Sequence, residues 1–314
     1  MENQTTPPYF YLTMFKDLGY LSFVYFGVAL ITYGSTVLLN VVILLVILRE
    51  SELHQPMYIF ISCLSINGLY GTNALFPRLL RDLLSARPAV SYSACILQAF
   101  AMFTYASCEF TILTLMAHDR YVAICRPLRY HSIMTAKAVA LMVAMAWLYP
   151  ALTISMGTVA AVRLPLCGNE VGKLYCSNWA VVRLSCVSTA ANNAYGIFIA
   201  VTTVFVPFTY ILFTYVKILV ICRKRSTEFK RKAFYTCVPH IVSFVTYSIA
   251  IFCEITFSRY EGELPGIVAV VLSLEFVVIP PVLNPVIYGM NFPVVRRGIK
   301  KALQKTKPTS FFNS

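Results

Sequence analysis

Seven runs of about 20 or more mostly apolar residues constrain this chain more than any other feature. Their bounds are 21–48, 57–77, 94–124, 138–162, 184–216, 233–258 and 264–288. A helix needs about 20 apolar residues to cross the roughly 30 Å hydrocarbon core of a bilayer. A transmembrane β-barrel would instead show segments of about ten alternating residues, which the sequence lacks. The pattern therefore predicts an all-α fold, a bundle of seven transmembrane helices.

The composition argues against a soluble enzyme and against a nucleic-acid-binding protein. Of the 314 residues, 58% are hydrophobic and 12% are charged, whereas soluble domains carry about 25% charged residues. The formal charge is +13, but the cations cluster between the apolar runs and form no basic patch that nucleic acid would need. The spans also lack the motifs of zinc proteases, serine hydrolases and phosphate-binding loops. We therefore expect no enzymatic activity, no cofactor and no nucleic-acid partner.

The basic residues predict how the bundle lies in the membrane. Most of the 26 Lys and Arg residues fall on the cytoplasmic side if the N-terminus is outside, as the positive-inside rule requires. Asn3 begins the only sequon that is placed for glycosylation, which suits an extracellular N-terminus. Both observations predict that the N-terminus is extracellular.

The chain divides into three regions by composition. Residues 1–20 form an extracellular segment without a visible signal peptide, residues 21–290 form the membrane domain, and residues 291–314 form a cytoplasmic tail. Within the tail, residues 291–305 place apolar groups among cations, which predicts a short amphipathic helix lying on membrane lipid. A solvated tail is the alternative interpretation.

Charged residues within the third span are candidates for function, since charges in a bilayer are costly. Asp119 and Arg120 lie at its cytoplasmic end, where an arginine held by its neighbouring carboxylate is a plausible two-state latch. A cation that only extends its charge to the interface is the alternative. Glu109 precedes Arg120 by 11 residues, about three turns, so both side chains project from one face. We expect Glu109 to be protonated or paired with a cation or polar group.

The seventh span contains a proline-rich segment with one amide side chain. Pro285 cannot donate a hydrogen bond to the carbonyl of Pro281, so the helix is expected to kink there. We expect Asn284 to satisfy backbone groups that the kink frees. Such a segment can hold two packings, although a purely structural kink is equally compatible with the sequence.

Four stretches together carry a resemblance to a known family. They are 56–65, which begins Pro56-Met57-Tyr58, then 116–130 around Asp119-Arg120-Tyr121, then Lys232 to His240, and Pro281 to Tyr288. With these motifs in order, the chain resembles the vertebrate odorant receptors of the rhodopsin-like G-protein-coupled family.

The resemblance implies that a small, largely apolar odorant binds in the bundle and that the receptor activates a stimulatory G protein of the olfactory type. It further implies a location in the plasma membrane of olfactory sensory neurons. A non-olfactory receptor of the same superfamily is the alternative. A small-solute transporter is a more distant one, since the sequence shows neither internal repeats nor a polar path.

The resemblance also implies roles for individual residues. The residues of the G-protein switch are Asp119, Arg120, Tyr121, His240, Asn284, Pro285 and Tyr288. The residues that bind the ligand are Met102, Phe103, Ala106, Ser107, Tyr195, Phe198, Ser248, Phe252, Ile255 and Arg259. Met102 also follows from spacing, because it lies 18 residues or five turns before Arg120 and so points inward.

Two ionisable residues leave the charge of the ligand open. Arg259 lies at the outer end of the sixth span and suits a carboxylate, unless Glu261 or Glu263 neutralises it. Glu254, in the same span, suits an amine instead.

Cysteines and one missing aspartate complete the sequence evidence. Four oxidisable cysteines allow three pairings, of which the resemblance implies Cys95–Cys176 and Cys167–Cys186. The family usually has an aspartate in the second span where this chain has Gly68. Since that aspartate and a polar group of the third span together bind sodium in related receptors, Glu109 offers only a partial sodium site. We expect sodium modulation to be weak or absent, and no other metal site.

Overall fold

The computed structural model describes residues 7–15, 19–257, 266–291 and 295–297. Seven long helices dominate it. They are α1 (Leu21–Arg49), α2 (Pro56–Leu83), α3 (Tyr92–Cys125), α4 (Ala136–Val162), α5 (Ala190–Arg223), α6 (Thr227–Phe257) and α7 (Gly266–Asn291). The first six are long and apolar enough to cross a membrane, and α7 contains the shorter apolar stretch Leu274–Gly289. The predicted seven-helix fold is therefore confirmed.

The fifth helix departs most from the predicted spans. It begins at Ala190, whereas the apolar run begins at 184. The reason is that Cys186 is bonded to Cys167 and the neighbouring Ser185 pairs with Leu166. These contacts hold the start of the apolar run in the loop between α4 and α5.

A π-helical segment, Val201–Phe205, interrupts α5 between two α-helical parts. Pro207 follows it and has no backbone N–H to donate, which weakens regular α-helical bonding in the preceding turn. Such wide turns inside α-helices are frequently found at functional sites. Nothing in the apolar pattern of the sequence predicted this segment.

The third helix lies at the centre of the bundle. In its most apolar window 67% of the residues are buried, against 22% in α4 and 17% in α5. It contacts α2, α4, α5 and α6 along its length. Side chains of α3 therefore face other helices on most sides, and α4 and α5 present most of their surface outward.

A small sheet lies at the end of the bundle that carries both disulfides, here called the disulfide end. Its strands are β1 (Tyr9–Leu12), β2 (Ala89–Ser91) and β3 (Glu170–Val171), in the order β2-β1-β3. The first pair is antiparallel and the second is parallel. Phe10 and Leu12 of β1 are fully buried, so the sheet packs an apolar face on the helices. The sequence analysis did not predict these strands.

Several predicted features lie outside the described residues. These are the sequon at Asn3, the cation Arg259 with its two neighbouring glutamates, and most of the amphipathic segment 291–305. Within that segment, Val295 is buried and Arg297 Nη2 lies 3.9 Å from Glu52 Oε2, with both side chains exposed.

Candidate functional site

A cavity of about 220 Å³ lies in the half of the bundle nearer the disulfide end. Its walls come from α3, α5, α6, one residue of α7 and the loop between α4 and α5. Five of the ten predicted ligand-binding residues line it, and these are Met102, Phe103, Ala106, Ser107 and Ile255. Four of them belong to α3, where the helical spacing from Arg120 predicted an inward direction.

Four other predicted residues do not line this cavity. Phe198 is half-exposed and Phe252 is 66% exposed on the outside of the bundle. The Tyr195 hydroxyl donates a hydrogen bond to a backbone carbonyl of α4 at 3.0 Å, and the Ser248 hydroxyl donates to the preceding turn of α6 at 2.7 Å. Each side chain is therefore directed to a neighbouring helix, to its own helix or to the surroundings of the bundle.

The loop between α4 and α5 supplies cavity residues that the sequence analysis missed. Lys173, Tyr175 and Trp179 line the cavity together with Glu254 of α6. Lys173 Nζ lies 2.7 Å from Glu254 Oε1, and the Tyr175 hydroxyl donates to the same oxygen at 2.9 Å. The Lys173 side chain is only 2% exposed, so this ion pair is buried. The proximity of Lys173 and Tyr175 to Cys176 was the available signal for their position.

Two disulfides position this loop. Cys95 at the start of α3 is joined to Cys176, and Cys167 is joined to Cys186, with Cα atoms 5.2 Å apart in each pair. These are the pairings that the family resemblance implies. In addition, the Cys176 backbone N–H donates to Gln98 Oε1 at 3.0 Å, which fixes the loop on α3 beside the cavity.

A buried polar cluster lies deeper in the bundle, around Glu109 of α3. Asn67 of α2 donates to Glu109 Oε2 at 2.7 Å, and Asn284 of α7 donates to Oε1 at 2.8 Å. Glu109 is 1% exposed, so its carboxyl group joins three helices through two amides. The sequence analysis expected Glu109 to be protonated or paired with a cation or a polar group, and the structure pairs it with two polar amide groups. Asn67 had not been identified from the sequence, although it precedes the missing aspartate position directly.

The prediction for Asn284 requires a correction. Its side chain donates to Glu109 and not to backbone groups that the prolines of α7 leave free. Asn40 of α1 has that task, because its amide donates to the carbonyl of Pro281 at 2.8 Å. Asn284 therefore joins α7 to α3, and Asn40 joins α7 to α1.

The geometry around Gly68 leaves little room for the family's aspartate. A Cβ atom on Gly68 would lie 3.2 Å from the Pro281 Cβ and 3.4 Å from Asn40 Oδ1. The neighbouring side chains would have to shift by a few tenths of an ångström to accept one. The carboxylate pair expected of a sodium site is thus reduced to Glu109, which already accepts two hydrogen bonds.

The family resemblance predicts a receptor, and for this reason we expect its responses to be insensitive to sodium. Replacing sodium by choline in the buffer of a membrane preparation should leave agonist potency unchanged. A cation held by one carboxylate loses the charge compensation that a pair provides. A sodium-dependent shift in potency that Glu109→Gln abolishes would contradict this expectation.

His240 of α6 joins three helices near the opposite end of the bundle. Its Nε2 lies 2.9 Å from the Leu113 carbonyl of α3, and its Nδ1 lies 2.6 Å from the Tyr215 hydroxyl of α5. A neutral ring satisfies both contacts by donating from Nε2 and accepting at Nδ1. The side chain is fully buried, so this link ties α6 to α3 and α5.

The tripeptide Asp119-Arg120-Tyr121 lies at what is here called the Arg120 end of the bundle. Arg120 Nη2 lies 3.6 Å from Asp119 Oδ2, and the Tyr130 hydroxyl donates to Asp119 Oδ1 at 2.7 Å. Burial, followed by the hydrogen bond to this carboxylate, raises the pKa of Tyr130 above its usual value. Tyr130 thus remains a neutral donor that helps to hold the carboxylate. The Tyr121 ring lies beside the guanidinium of Arg126, 5.8 Å from its centroid.

The remaining predicted switch residues lie in the last turns of α7. Pro285 and Tyr288 are both buried among neighbouring helices. The other predicted switch residues lie at three places along the bundle: Asn284 in the Glu109 cluster, His240 in its link to α3 and α5, and Asp119-Arg120-Tyr121 at the Arg120 end.

Comparisons with known proteins give a consistent result. A protein-family model described as "Olfactory receptor" matches residues 29–306. The chain is 33% identical to olfactory receptor 2K2 of Homo sapiens over 308 residues, which are 97% of this chain and 96% of the relative. It is 35% identical to olfactory receptor-like protein OLF3 of Canis lupus familiaris over 281 residues, 88% of each chain. It is 34% identical to olfactory receptor 6K3 of Homo sapiens over 307 residues, covering 96% and 92%.

Proposed function

We propose that the odorant of this chain binds in the cavity beside Ala106, because the chain belongs to the olfactory receptor family. It is thus an odorant-sensing G-protein-coupled receptor without enzymatic activity. The observation that carries this proposal is the cavity itself, which is enclosed by α3, α5, α6 and the loop that the Cys95–Cys176 disulfide holds. Ligand sites are typically apolar cavities with a few polar groups that orient the ligand. This cavity has that character, since the Lys173–Glu254 pair lies on an otherwise mostly apolar wall.

Filling the cavity tests this proposal. We expect Ala106→Phe to abolish responses to every active odorant, because the added ring occupies space that the ligand needs. The measurement is odorant-dependent cAMP in cells, normalised to receptor at the surface. Leu97→Phe is the matched control, since Leu97 lies on the same helix and its side chain is 67% exposed outside the cavity. Full responses in the Ala106→Phe variant would exclude the cavity as the odorant site.

For activation, we propose that the bound odorant favours a conformation in which the Arg120 end of α6 moves away from α3. The His240 link supports this, since it joins α6 to α3 and these two helices must separate. A ligand shifts such an equilibrium only by binding one conformation more tightly than the other. The exposed Arg120 end and the basic segment 223–232 would then contact a stimulatory G protein of the olfactory type.

Removing the His240 link should raise signalling without odorant. We expect His240→Ala to increase basal cAMP by about tenfold, because two buried hydrogen bonds that hold α6 against α3 and α5 are lost. Basal cAMP per receptor at the cell surface is the measurement. His131→Ala, in an exposed position at the same end of the bundle, serves as the control. Unchanged basal signalling in the His240 variant would rule out a restraining role for this link.

We further propose that the protein is in the plasma membrane with its N-terminus outside and Asn3 glycosylated. The distribution of basic residues and the position of the sequon support this orientation. Antibody labelling of an N-terminal tag on intact cells tests it, and labelling only after permeabilisation would contradict it.

A further inference from the structure

We propose that the odorant is a small alcohol whose hydroxyl group donates a hydrogen bond to Oε2 of Glu254. This inference rests on the proposed cavity and assigns the chemical class of its ligand. Glu254 lines the cavity from α6, and the two carboxylate oxygens differ in their contacts.

All the hydrogen bonds that Glu254 accepts from the described part of the chain reach one oxygen. Lys173 Nζ and the Tyr175 hydroxyl both bind Oε1, at 2.7 and 2.9 Å. Oε2 accepts no hydrogen bond from any residue between 7 and 15, 19 and 257 or 266 and 291. An ionised carboxylate has about four lone-pair positions. The cavity wall therefore offers an acceptor with unused capacity.

The charge balance of the wall selects against ionised ligands. Lys173 lies 2.7 Å from Glu254 and its ammonium group lies 5.6 Å from the centroid of the Tyr175 ring. The two charges of the pair oppose each other, and the side chains of Lys173 and Glu254 are 2% and 17% exposed. A carboxylate ligand would add a second negative charge beside Glu254, and an ammonium ligand would add a second positive charge beside Lys173. Either ligand would bring a like charge close to one member of the pair in a site largely shielded from water, which is costly.

Among uncharged ligands, the Oε2 position selects donors over acceptors. A hydroxyl group donates to Oε2 in a charge-assisted hydrogen bond, the stronger kind. An aldehyde or ether presents only lone pairs and is repelled by the carboxylate. The other walls near Met102, Ile251 and Phe276 are apolar and would surround the hydrocarbon part of the molecule. An alcohol matches both requirements.

The test uses series of compounds with one carbon skeleton each, ending as an alcohol, aldehyde, methyl ether, amine or carboxylic acid. Several straight-chain and cyclic skeletons are applied to cells that express the full chain with an olfactory stimulatory G protein. We expect alcohols to be at least about tenfold more potent than the matching methyl ethers, as loss of a charge-assisted hydrogen bond predicts. Equal potency of alcohols and ethers, or inactivity of all alcohols, would overturn the proposal.

Two variants and one control separate this role from a structural one. In Glu254→Gln, we expect the advantage of alcohols over ethers to fall by about tenfold, since the acceptor loses its charge. Glu275→Gln, a carboxyl-to-amide change in α7 outside this cavity, should retain the advantage. In Lys173→Met, we expect a new response to the amines, because Glu254 then has no cation and an ammonium ligand replaces it. Gain of a response cannot come from misfolding.

The outcomes also distinguish this inference from the proposed function. If ethers or aldehydes match the alcohols and Ala106→Phe still abolishes every response, the cavity is the odorant site and the assignment of alcohols fails. If Ala106→Phe leaves the responses intact, the cavity is not the site and both fail. A Lys173→Met variant that is present at the surface and activated by alcohols, but not by any amine, would also overturn the role given to the ion pair.

Discussion

Replacing Cys176 with serine is expected to abolish the odorant response and to reduce the amount of receptor at the cell surface. The disulfide to Cys95 joins residues separated by 81 positions, and removing such a bond costs about 2–5 kcal/mol. The loss also acts directly on the site. Lys173 and Tyr175 lie close to Cys176 in the chain, and their contacts with Glu254 depend on where the disulfide holds the loop. Surface labelling together with cAMP per surface receptor measures both effects.

The second disulfide provides the control for this experiment. Cys167 and Cys186 are separated by 19 positions, and their bond constrains only the loop itself. Since the stabilisation grows with the length of the closed loop, we expect Cys167→Ser to lower surface receptor less than Cys176→Ser. The double variant of Cys95 and Cys176 should behave like either single variant, because both remove the same bond. Wild-type odorant potency in Cys176→Ser would disprove the positioning role.

The second large effect is expected from Glu109→Leu. This change removes the acceptor shared by Asn67 of α2 and Asn284 of α7. Two amide N–H groups then lose their acceptor in the interior, at a cost of about 1–3 kcal/mol each, while Asn67 keeps its hydrogen bond to the Tyr105 carbonyl at 3.1 Å. A loss of about 3 kcal/mol corresponds to a decrease in Tm of roughly 5 °C for a chain of this length. Thermal unfolding of the receptor in detergent is the measurement.

A graded series makes the result specific to the hydrogen bonds. Glu109→Gln keeps one oxygen that can accept a hydrogen bond from one amide, so its Tm should lie between those of Glu109→Leu and the natural chain. Adding leucine at both Asn67 and Asn284 to Glu109→Leu should recover part of the loss, since no amide is then left unpaired. If Glu109→Leu were as stable as the natural chain, the polar cluster would not contribute to the packing of these helices.

Features of the fold that depend on local sequence were predicted, and features that depend on contacts between distant segments were not. The seven spans depend on apolar length, which is a local property of the chain. The predicted bounds agree within three residues for α1, α3, α4 and α7, whereas α2 ends six residues later and α6 begins six residues earlier than predicted. The fifth helix differs at both ends, since it begins at Ala190 and ends at Arg223. There, the Cys167–Cys186 bond and the Leu166–Ser185 pairing hold part of the apolar run in the loop. The sheet was missed because strands of two to four residues join segments that are far apart in the sequence.

The candidate site was predictable to the extent that one helix determines it. The spacing along α3 gave the inward direction of Met102, and the same logic placed Glu109 inside the bundle. The Lys173–Glu254 pair lies across 81 residues of chain, and helical periodicity carries no information about such a contact. The expectation that Asn284 satisfies the backbone groups freed by the kink failed for the same reason, since the Pro281 carbonyl accepts from Asn40 and this contact depends on how α1 packs on α7.

The π-helical segment of α5 changes how experiments on this helix should be planned. A π turn spans i to i+5 bonding and holds about one residue more than an α turn, and each residue of a helix corresponds to roughly 100° of rotation. The part of α5 before Val201 is thus rotated relative to a regular helix extended from Val206. Positions before Val201 should therefore be assigned to the cavity from their contacts and not by counting turns back from Val206, and by their contacts Asn193 and Ala200 line the cavity whereas half-exposed Phe198 does not.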